Sequence, residues 1–377
     1  MKYNPNYLRA IITLPVLFIG LNIYIVILHE LFVFILKGRW RRRNFIFLLA
    51  PTSFIIIAFI QYNLNYNGES IFGVLSDVSL RTYDTMGAIN LSGNVNFVDV
   101  FKMATYFLLV FLLYNNIKSL SEWHDFFKKI IKLNFFVVIP IFLFSFSPFL
   151  VSMLKAIALN SSNFLTVDDF GYRISGFYYE PSQFSLMMST VLAILYFSSK
   201  DIAEKGKIIF VLFVFFLLSR SVTLVASFLL CSFLLYRPKT FVAFSCCIFF
   251  IVINSEKIIE LVYGSSPLFR SLLARTVITN YTLTFPYNMF GADFGNVTSF
   301  YPFYGIVFQS GYFGLLIVFL MFKFRIPLIM LILLLFSVSP RLWYIDIYLP
   351  SLFLFVVYSY QYVNRIEEAN LRGGELR

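Results

Sequence analysis

The sequence is poor in charged residues, in cysteine and in histidine. Charged residues make up 13% of its 377 residues, whereas hydrophobic residues make up 59%. This number of charged residues is too small to cover the surface of a soluble domain of this length. The composition therefore argues against a soluble protein. Several apolar runs instead reach the roughly 20 residues that cross a bilayer as a helix. The sequence predicts an all-α, polytopic membrane protein in which residues 1–377 form a single domain.

The three cysteines share an apolar context: Cys231, Cys246 and Cys247. Adjacent cysteines on one helix seldom form a disulfide, so we interpret all three as small hydrophobic residues. The histidines, His29 and His124, lie far apart in the sequence. The acidic pair Asp168-Asp169 has no third ligand nearby in the sequence, which favours a solvated loop over a metal site. We therefore expect neither a metal nor a cofactor.

Lysine and arginine outnumber aspartate and glutamate by 30 to 19, which gives a net charge of +11. A nucleic-acid partner is one explanation, but in so apolar a chain an excess of cations in cytoplasmic loops is the better one. We therefore expect no nucleic-acid partner. The cationic segments that we place in the cytoplasm are residues 37–43, 128–132 and 200–207, Arg237 with Lys239, Lys323 with Arg325, and the C-terminal tail.

Apolar runs of the required length predict about eleven membrane spans. They lie near residues 9–36, 44–60, 97–114, 133–153, 182–198, 208–219, 221–236, 240–253, 303–322, 326–342 and 346–361. The first run is ambiguous. As one span it puts the N-terminus outside, whereas a break at Asn22 or at His29-Glu30 gives twelve spans and puts both termini inside.

Residues 208–236 are too long for one span, because a single helix would measure about 43 Å at 1.5 Å per residue. One helix would also separate Lys207 and Arg237, which the charge rule places on the same side. We therefore predict two short helices that turn at Ser219-Arg220-Ser221, with Arg220 at the outer end of the hairpin.

This topology leaves three long loops outside: residues 61–96, 154–181 and 254–302. Loops of this length are uncommon unless they carry function. The third contains "SPLFRSLLARTV", whose helical spacing predicts a short surface helix with Arg270 and Arg275 near one side.

The second outer loop ends in "RISGFYYEPSQFS", residues 173–185, at the threshold of a span. Proline suits the first position of a helix, so Pro181 predicts the helix start and puts Glu180 at or beside its N-cap. A helix N-terminus favours an anion, either Glu180 or a ligand phosphate. Capping of the helix and pairing with Arg173 is the simpler role for Glu180.

Besides Arg81 in the first outer loop, five arginines fall on the outer side against the charge rule: Arg173, Arg220, Arg270, Arg275 and Arg341. The planar fork of donors on arginine suits phosphate. Together with Glu180, which is placed to orient or deprotonate a sugar hydroxyl, they indicate a lipid-linked diphosphate substrate. Ion pairs or snorkelling surface residues are the alternative for each arginine. Tyr178 and Tyr179 are candidates for stacking on sugars, although an interfacial aromatic belt is the commoner role.

Three segments carry a resemblance to a known family. "RISGFYYEPSQFS" resembles the Arg-x-x-Gly-x-x-x-Glu-Pro-Ser segment of Wzy-type O-antigen polymerases. "LLSRSVTLVASFLL" resembles the Ser-Arg helix turn of O-antigen polymerases and ligases. "MFGADFGN" and "YGIVFQSGYFGLL" are similar to their late Gly-rich outer loop and the helix after it. The resemblance spans residues 170–320.

The resemblance implies a multi-pass glycosyltransferase of the bacterial inner membrane that joins undecaprenyl-diphosphate-linked repeat units on the periplasmic face. By position, Arg173 and Glu180 match the first motif and Arg220 matches the second, and Glu180 is our candidate catalytic residue. The implied partners are the lipid-linked oligosaccharide, membrane lipids and a chain-length regulator protein. The ligases and some of the polymerases place a histidine in the late outer loop, and residues 254–302 contain none, which argues against a ligase. A lipid-linked oligosaccharide flippase and a ligase remain the alternative functions.

Overall fold

A computed structural model of the chain describes residues 5–14, 21–37, 46–64, 97–157, 165–168, 171–176, 178, 181–248, 250, 289–290, 309–322, 325–338, 350 and 353–358. The chain divides into two compact units. The first comprises Met1–Asn44, Leu109–Tyr236 and Tyr348–Arg377, and the second comprises Phe45–Leu108 and Arg237–Ile347.

The described residues are almost entirely helical, which confirms the all-α class. In chain order the helices are α1 (Pro5–Ala10), α2 (Leu21–Lys37), α3 (Ile46–Leu64), α4 (Phe97–Asn116), α5 (Leu120–Phe144), α6 (Pro148–Ile157), α7 (Pro181–Ser198), α8 (Ile202–Ser219), α9 (Val222–Tyr236), α10 (Gln309–Met321) and α11 (Ile326–Val338). Residues 238–248 are also helical. Within the described part of the chain, no helix is both long enough and apolar enough to cross a membrane.

Helix α7 forms the core of the first unit. Every residue from 183 to 195 is buried, and the helix packs against α5, α8 and α9. A helix that is apolar on all sides, as in "VLAIL" at its centre, must be covered on all sides. The segment that precedes α7 is therefore anchored to the most enclosed element of the unit.

Helix α5 begins well before the predicted span at residue 133. Ser119 is its N-cap, and its Oγ accepts a hydrogen bond from the backbone N–H of Glu122 at 3.2 Å. The Glu122 carboxylate in turn accepts from the N–H of Lys118 at 3.1 Å, an arrangement close to a capping box. The helix therefore starts in polar sequence and continues into the apolar run of the predicted span.

Of the two breaks considered in the first apolar run, the one at His29-Glu30 is wrong, because α2 continues through both residues. The break at Asn22 is close to the observed boundary, since α1 is followed by a 3₁₀ turn at Ile11–Thr13 and α2 begins at Leu21. A buried glutamate does not require a helix end when a cation pairs with it, and Glu30 is paired with Arg9.

The predicted turn at Ser219-Arg220-Ser221 is confirmed, since α8 ends at Ser219 and α9 begins at Val222. The loop predicted over residues 154–181 differs from expectation, because it contains strands β1 (Leu165–Asp168) and β2 (Gly171–Ile174). The strands pair antiparallel, with Thr166 opposite Arg173. Strands of four residues are too short for hydropathy alternation to reveal them.

In the second unit α3 packs against α10. The rings of Phe54 on α3 and Phe107 on α4 lie 6.1 Å apart between centroids. Helix α10 is interrupted at Gly311, whose φ of 67° and ψ of −173° are not helical. Glycine has no Cβ and tolerates this conformation, which explains its presence near the start of α10.

Candidate functional site

The structure brings together two of the arginines predicted to bind substrate. Arg173 lies on β2, which packs against α5 and α8. Its Nε donates a hydrogen bond to the backbone carbonyl of Ser219 at 3.3 Å. Ser219 is the last residue of α8 and directly precedes Arg220. Two segments that are 46 residues apart in the sequence therefore meet at one turn.

This contact also stabilises the end of α8. The last carbonyls of a helix lack intrahelical partners and carry partial negative charge. The guanidinium of Arg173 supplies both a donor and a positive charge to one of them. Arg173 therefore has a structural role at this turn whatever ligand the site binds.

Arg220 has an unusual backbone conformation for its residue type. Its φ of 47° and ψ of 36° are left-handed, and among the described residues it is the non-glycine residue with positive φ. Its N–H donates to the carbonyl of Phe216 at 2.8 Å and so closes the helix. Glycine is the usual residue at such a helix end, and a residue with a Cβ costs roughly 1–2 kcal/mol more. The flanking Ser219 and Ser221 are buried, whereas Arg220 is exposed.

The strained backbone under an exposed arginine indicates that the side chain at this position has a use. Non-glycine residues in left-handed conformations cluster at functional sites, because a structure tolerates the strain only where something offsets it.

The backbone conformation and close surroundings of Gly176 explain why the "RISGFYYEP" segment has a glycine at this position. Its φ is +60°, and a Cβ added there would lie 3.3 Å from Val138 Cγ2 on α5 and 3.6 Å from Phe184 Cδ2 on α7. The turn around it is closed by Ser175, whose carbonyl accepts from the N–H of Tyr178 at 3.2 Å and whose Oγ donates to the Tyr178 carbonyl at 3.0 Å. This tight turn positions the chain that leads into α7.

Tyr178 is 3% exposed. Its ring lies 5.8 Å from that of Phe184, edge to face, and Phe184 in turn contacts Phe215 on α8 at 5.1 Å. The buried ring offers no open face to a sugar, so Tyr178 is left out of the ligand-binding set. Its role is to pack the turn onto α7 and α8.

Gln183 is a residue of the motif that the sequence did not single out. It lies in the first turn of α7 and is 1% exposed, and neither its Oε1 nor its Nε2 has a hydrogen-bond partner among the described residues. Burying an amide without partners costs on the order of 1–3 kcal/mol, so such groups are rare in folded proteins. The signal available from the sequence was a glutamine at the start of a largely apolar helix.

Five of the predicted site residues lie outside the described residues: Tyr179, Glu180, Arg270, Arg275 and Arg341. The surface helix predicted within residues 254–302 lies outside them as well. Their roles stay predictions.

The late Gly-rich segment belongs to the second unit. The carbonyl of Met289 accepts a hydrogen bond from the N–H of Phe313 at 3.0 Å, just after the break at Gly311. The carbonyl of Phe290 accepts from Nε2 of Gln61 on α3. The start of "MFGADFGN" is thus held between α3 and α10.

A buried charged cluster in the first unit also went unpredicted. Arg9 donates to both oxygens of Glu30, which is fully buried. Asn116 donates to Oε2 of Glu30 at 2.8 Å, and Nδ1 of His29 lies 2.9 Å from Oε1. The signal available from the sequence was an arginine and a glutamate within the first apolar run, residues 9–36. With each carboxylate oxygen hydrogen-bonded, this cluster is built for stability rather than for binding.

In the described part of the chain, no three side chains of His, Cys, Asp and Glu come together as a metal site would require. Comparison with known proteins finds no match among protein-family models, curated proteins or solved structures.

Proposed function

We propose that this protein is an O-antigen-type polysaccharide polymerase of the bacterial inner membrane. It transfers a growing glycan from undecaprenyl diphosphate onto a new lipid-linked repeat unit on the periplasmic side. The observation that carries the proposal is the hydrogen bond from Arg173 to the carbonyl of Ser219, which joins the two arginine-bearing segments of the family resemblance. The strained, exposed Arg220 at the same turn supports it.

The membrane placement rests on composition, with 59% hydrophobic and 13% charged residues. The orientation rests on the cationic segments, which belong in the cytoplasm by the charge rule. The turn at residues 219–221 then lies on the opposite side, together with the segment that contains Arg173.

The proposed reaction uses an acceptor hydroxyl of the new repeat unit as the nucleophile. Its oxygen bonds to the anomeric carbon of the donor, and the bond from that carbon to the diphosphate oxygen breaks. The electron pair leaves on undecaprenyl diphosphate, and the hydroxyl proton passes to Glu180. Arg220 holds the diphosphate, and its bidentate donors stabilise the charge that develops on the leaving group.

The deciding experiment is the lipopolysaccharide ladder of a strain that lacks the gene. Loss of a polymerase leaves lipid A–core that carries a single repeat unit, and plasmid-borne wild type restores the long ladder. Loss of a flippase leaves core with no repeat unit. Loss of a ligase also leaves bare core, but with polymer accumulating on the carrier lipid. Either of the last two patterns overturns the proposal.

A further inference from the structure

A cavity of about 360 Å³ lies in the first unit, between α5, α7 and α8. Its charged lining consists of Lys128 and Lys132 on α5 and Glu204 and Lys207 on α8. Lys128 Nζ lies 2.5 Å from Glu204 Oε1, so these two charges compensate each other. Hydrogen bonds from Lys128 and Ser199 hold the pKa of Glu204 below its usual range, which keeps this carboxylate charged near neutral pH.

Lys132 and Lys207 carry the remaining charge of the cavity. In the described residues neither has an ion-pair partner, and the ammonium group of Lys132 lies 5.8 Å above the ring of Phe136. The cavity thus presents two uncompensated positive charges. A ligand with negative charge complements them.

The rest of the cavity is apolar. Phe135 and Phe136 of α5, Leu195 of α7, and Ile208 and Val211 of α8 form its wall. Leu195 and Ile208 are buried, whereas Phe136 is 64% exposed. An inorganic anion or an acidic peptide would satisfy the lysines and leave this wall uncovered. An amphiphile satisfies both parts, since its charged head and its hydrocarbon chain match the two halves of the lining.

We infer that this cavity binds an anionic phospholipid. The phosphate of the lipid lies between Lys132 and Lys207, and one of its acyl chains lies along the wall formed by Phe135, Ile208 and Val211. Both lysines belong to segments that the charge rule places in the cytoplasm, where anionic lipid headgroups attract juxtamembrane cations.

This lipid site is separate from the proposed polymerase site. Lys207 lies in the second turn of α8, whereas Ser219 ends the same helix. Twelve residues of helix separate them by about 18 Å. The lipid site therefore stands whether or not the turn at Arg220 binds a lipid-linked sugar.

The test measures binding of fluorescent phosphatidylglycerol to the purified full chain in an uncharged detergent, with fluorescent phosphatidylcholine for comparison. Lys132→Gln/Lys207→Gln should weaken phosphatidylglycerol binding roughly thirtyfold, because each lysine near an anionic lipid contributes a factor of about five. Lys200→Gln/Lys205→Gln is the matched control, since it removes the same charge from the neighbouring stretch but lies outside the cavity lining. The control should bind within about twofold of wild type, less than the effect of one lysine.

Two further measurements separate a lipid from a free anion. Val211→Trp fills the apolar part and should abolish phosphatidylglycerol binding without changing the net charge, whereas millimolar inorganic phosphate should not displace the lipid. If phosphate displaces it and Val211→Trp binds normally, the cavity is an anion site and the inference is wrong. Equal binding by the lysine variant and its control also overturns it. Should the double variant fail to fold, Lys207→Gln alone, at an exposed side chain, should give about a fivefold loss.

Discussion

The guanidinium of Arg9 donates two hydrogen bonds to the carboxylate of Glu30, from Nε at 2.8 Å and from Nη2 at 3.1 Å. The same arginine donates from Nη1 to Oδ1 of Asn6 at 2.9 Å. Bidentate pairing fixes the distance between two charges and the orientation of the helices that carry them. The pair therefore ties α1 to α2 across the break in the first apolar run.

Glu30→Gln should destabilise the protein strongly, because it leaves the charge of the buried Arg9 without a counter-charge. Removal of one partner of a buried pair costs about 3–5 kcal/mol. The measurement is equilibrium unfolding of the purified protein in detergent. Glu122→Gln, at an exposed helix cap, is the control and should cost no more than about 2 kcal/mol. Equal stability of the two variants would contradict a structural role for the Arg9–Glu30 pair.

Part of this architecture follows from the sequence. The turn at Ser219-Arg220-Ser221 was predictable because helix length and the charge rule both require it. The start of α7 at Pro181 was predictable from the preference of proline for the first helical position.

Other features depend on contacts that no local pattern encodes. The hydrogen bond from Arg173 to Ser219 joins residues 46 positions apart, so it depends on how β2 packs on α8. The continuity of α2 through Glu30 depends on a partner 21 residues away. Hydropathy marks only the apolar part of α5, because its N-cap lies in polar sequence at Ser119. The burial of Tyr178 depends on Phe184 and Phe215, which meet only in the folded unit.

Alanine should have opposite effects at two glycines. Gly176→Ala should destabilise the protein by at least 1 kcal/mol, roughly the cost of a left-handed alanine, before any displacement of Val138. Gly206→Ala should stabilise it by about 0.5–1 kcal/mol, because this glycine is inside α8 and a Cβ there meets nothing within 4 Å. Unfolding of both variants in detergent gives the comparison, and the same sign for both would refute it.

Changes at Arg220 should separate stability from function. Arg220→Gly removes the left-handed strain and should stabilise the turn by roughly 1–2 kcal/mol, while it abolishes polymerisation. Arg220→Lys keeps the charge but loses the bidentate donors, so it should also be severely impaired. The readouts are unfolding in detergent and the length of polymer made in a deletion strain. A lysine variant that is present at normal levels and still makes long polymer would contradict bidentate binding of the diphosphate.

Gln183→Met should raise stability and leave activity near that of wild type. Methionine matches glutamine in length, and it removes a buried amide that has no partner among the described residues. The side chain is 1% exposed, so it is enclosed by protein and is not open to a sugar. The measurements are unfolding in detergent and the length of polymer made in a deletion strain, and a less stable variant would contradict the prediction.

Glu180 decides whether the motif before α7 is catalytic or only structural. If it caps the helix, Glu180→Gln should keep most of the activity, because removal of a cap costs only about 0.5–2 kcal/mol. If it accepts the proton of the acceptor hydroxyl, the amide cannot, and turnover should fall roughly 10²–10⁴-fold, the usual contribution of a general base. Glu180→Asp withdraws the carboxylate by one methylene group and should also be poor.

The measurement for Glu180 is polymerisation of lipid-linked repeat units by purified enzyme, normalised to folded protein. Arg173→Gln is the matched comparison, because it removes the hydrogen bond to the Ser219 carbonyl as well as any pairing with Glu180. It should lower stability along with activity, whereas Glu180→Gln should lower activity alone. A loss of turnover of no more than about threefold in the Glu180→Gln enzyme is far smaller than the loss expected when a general base is removed. That result would assign the carboxylate to the cap and leave the proton without an acceptor in the proposed reaction.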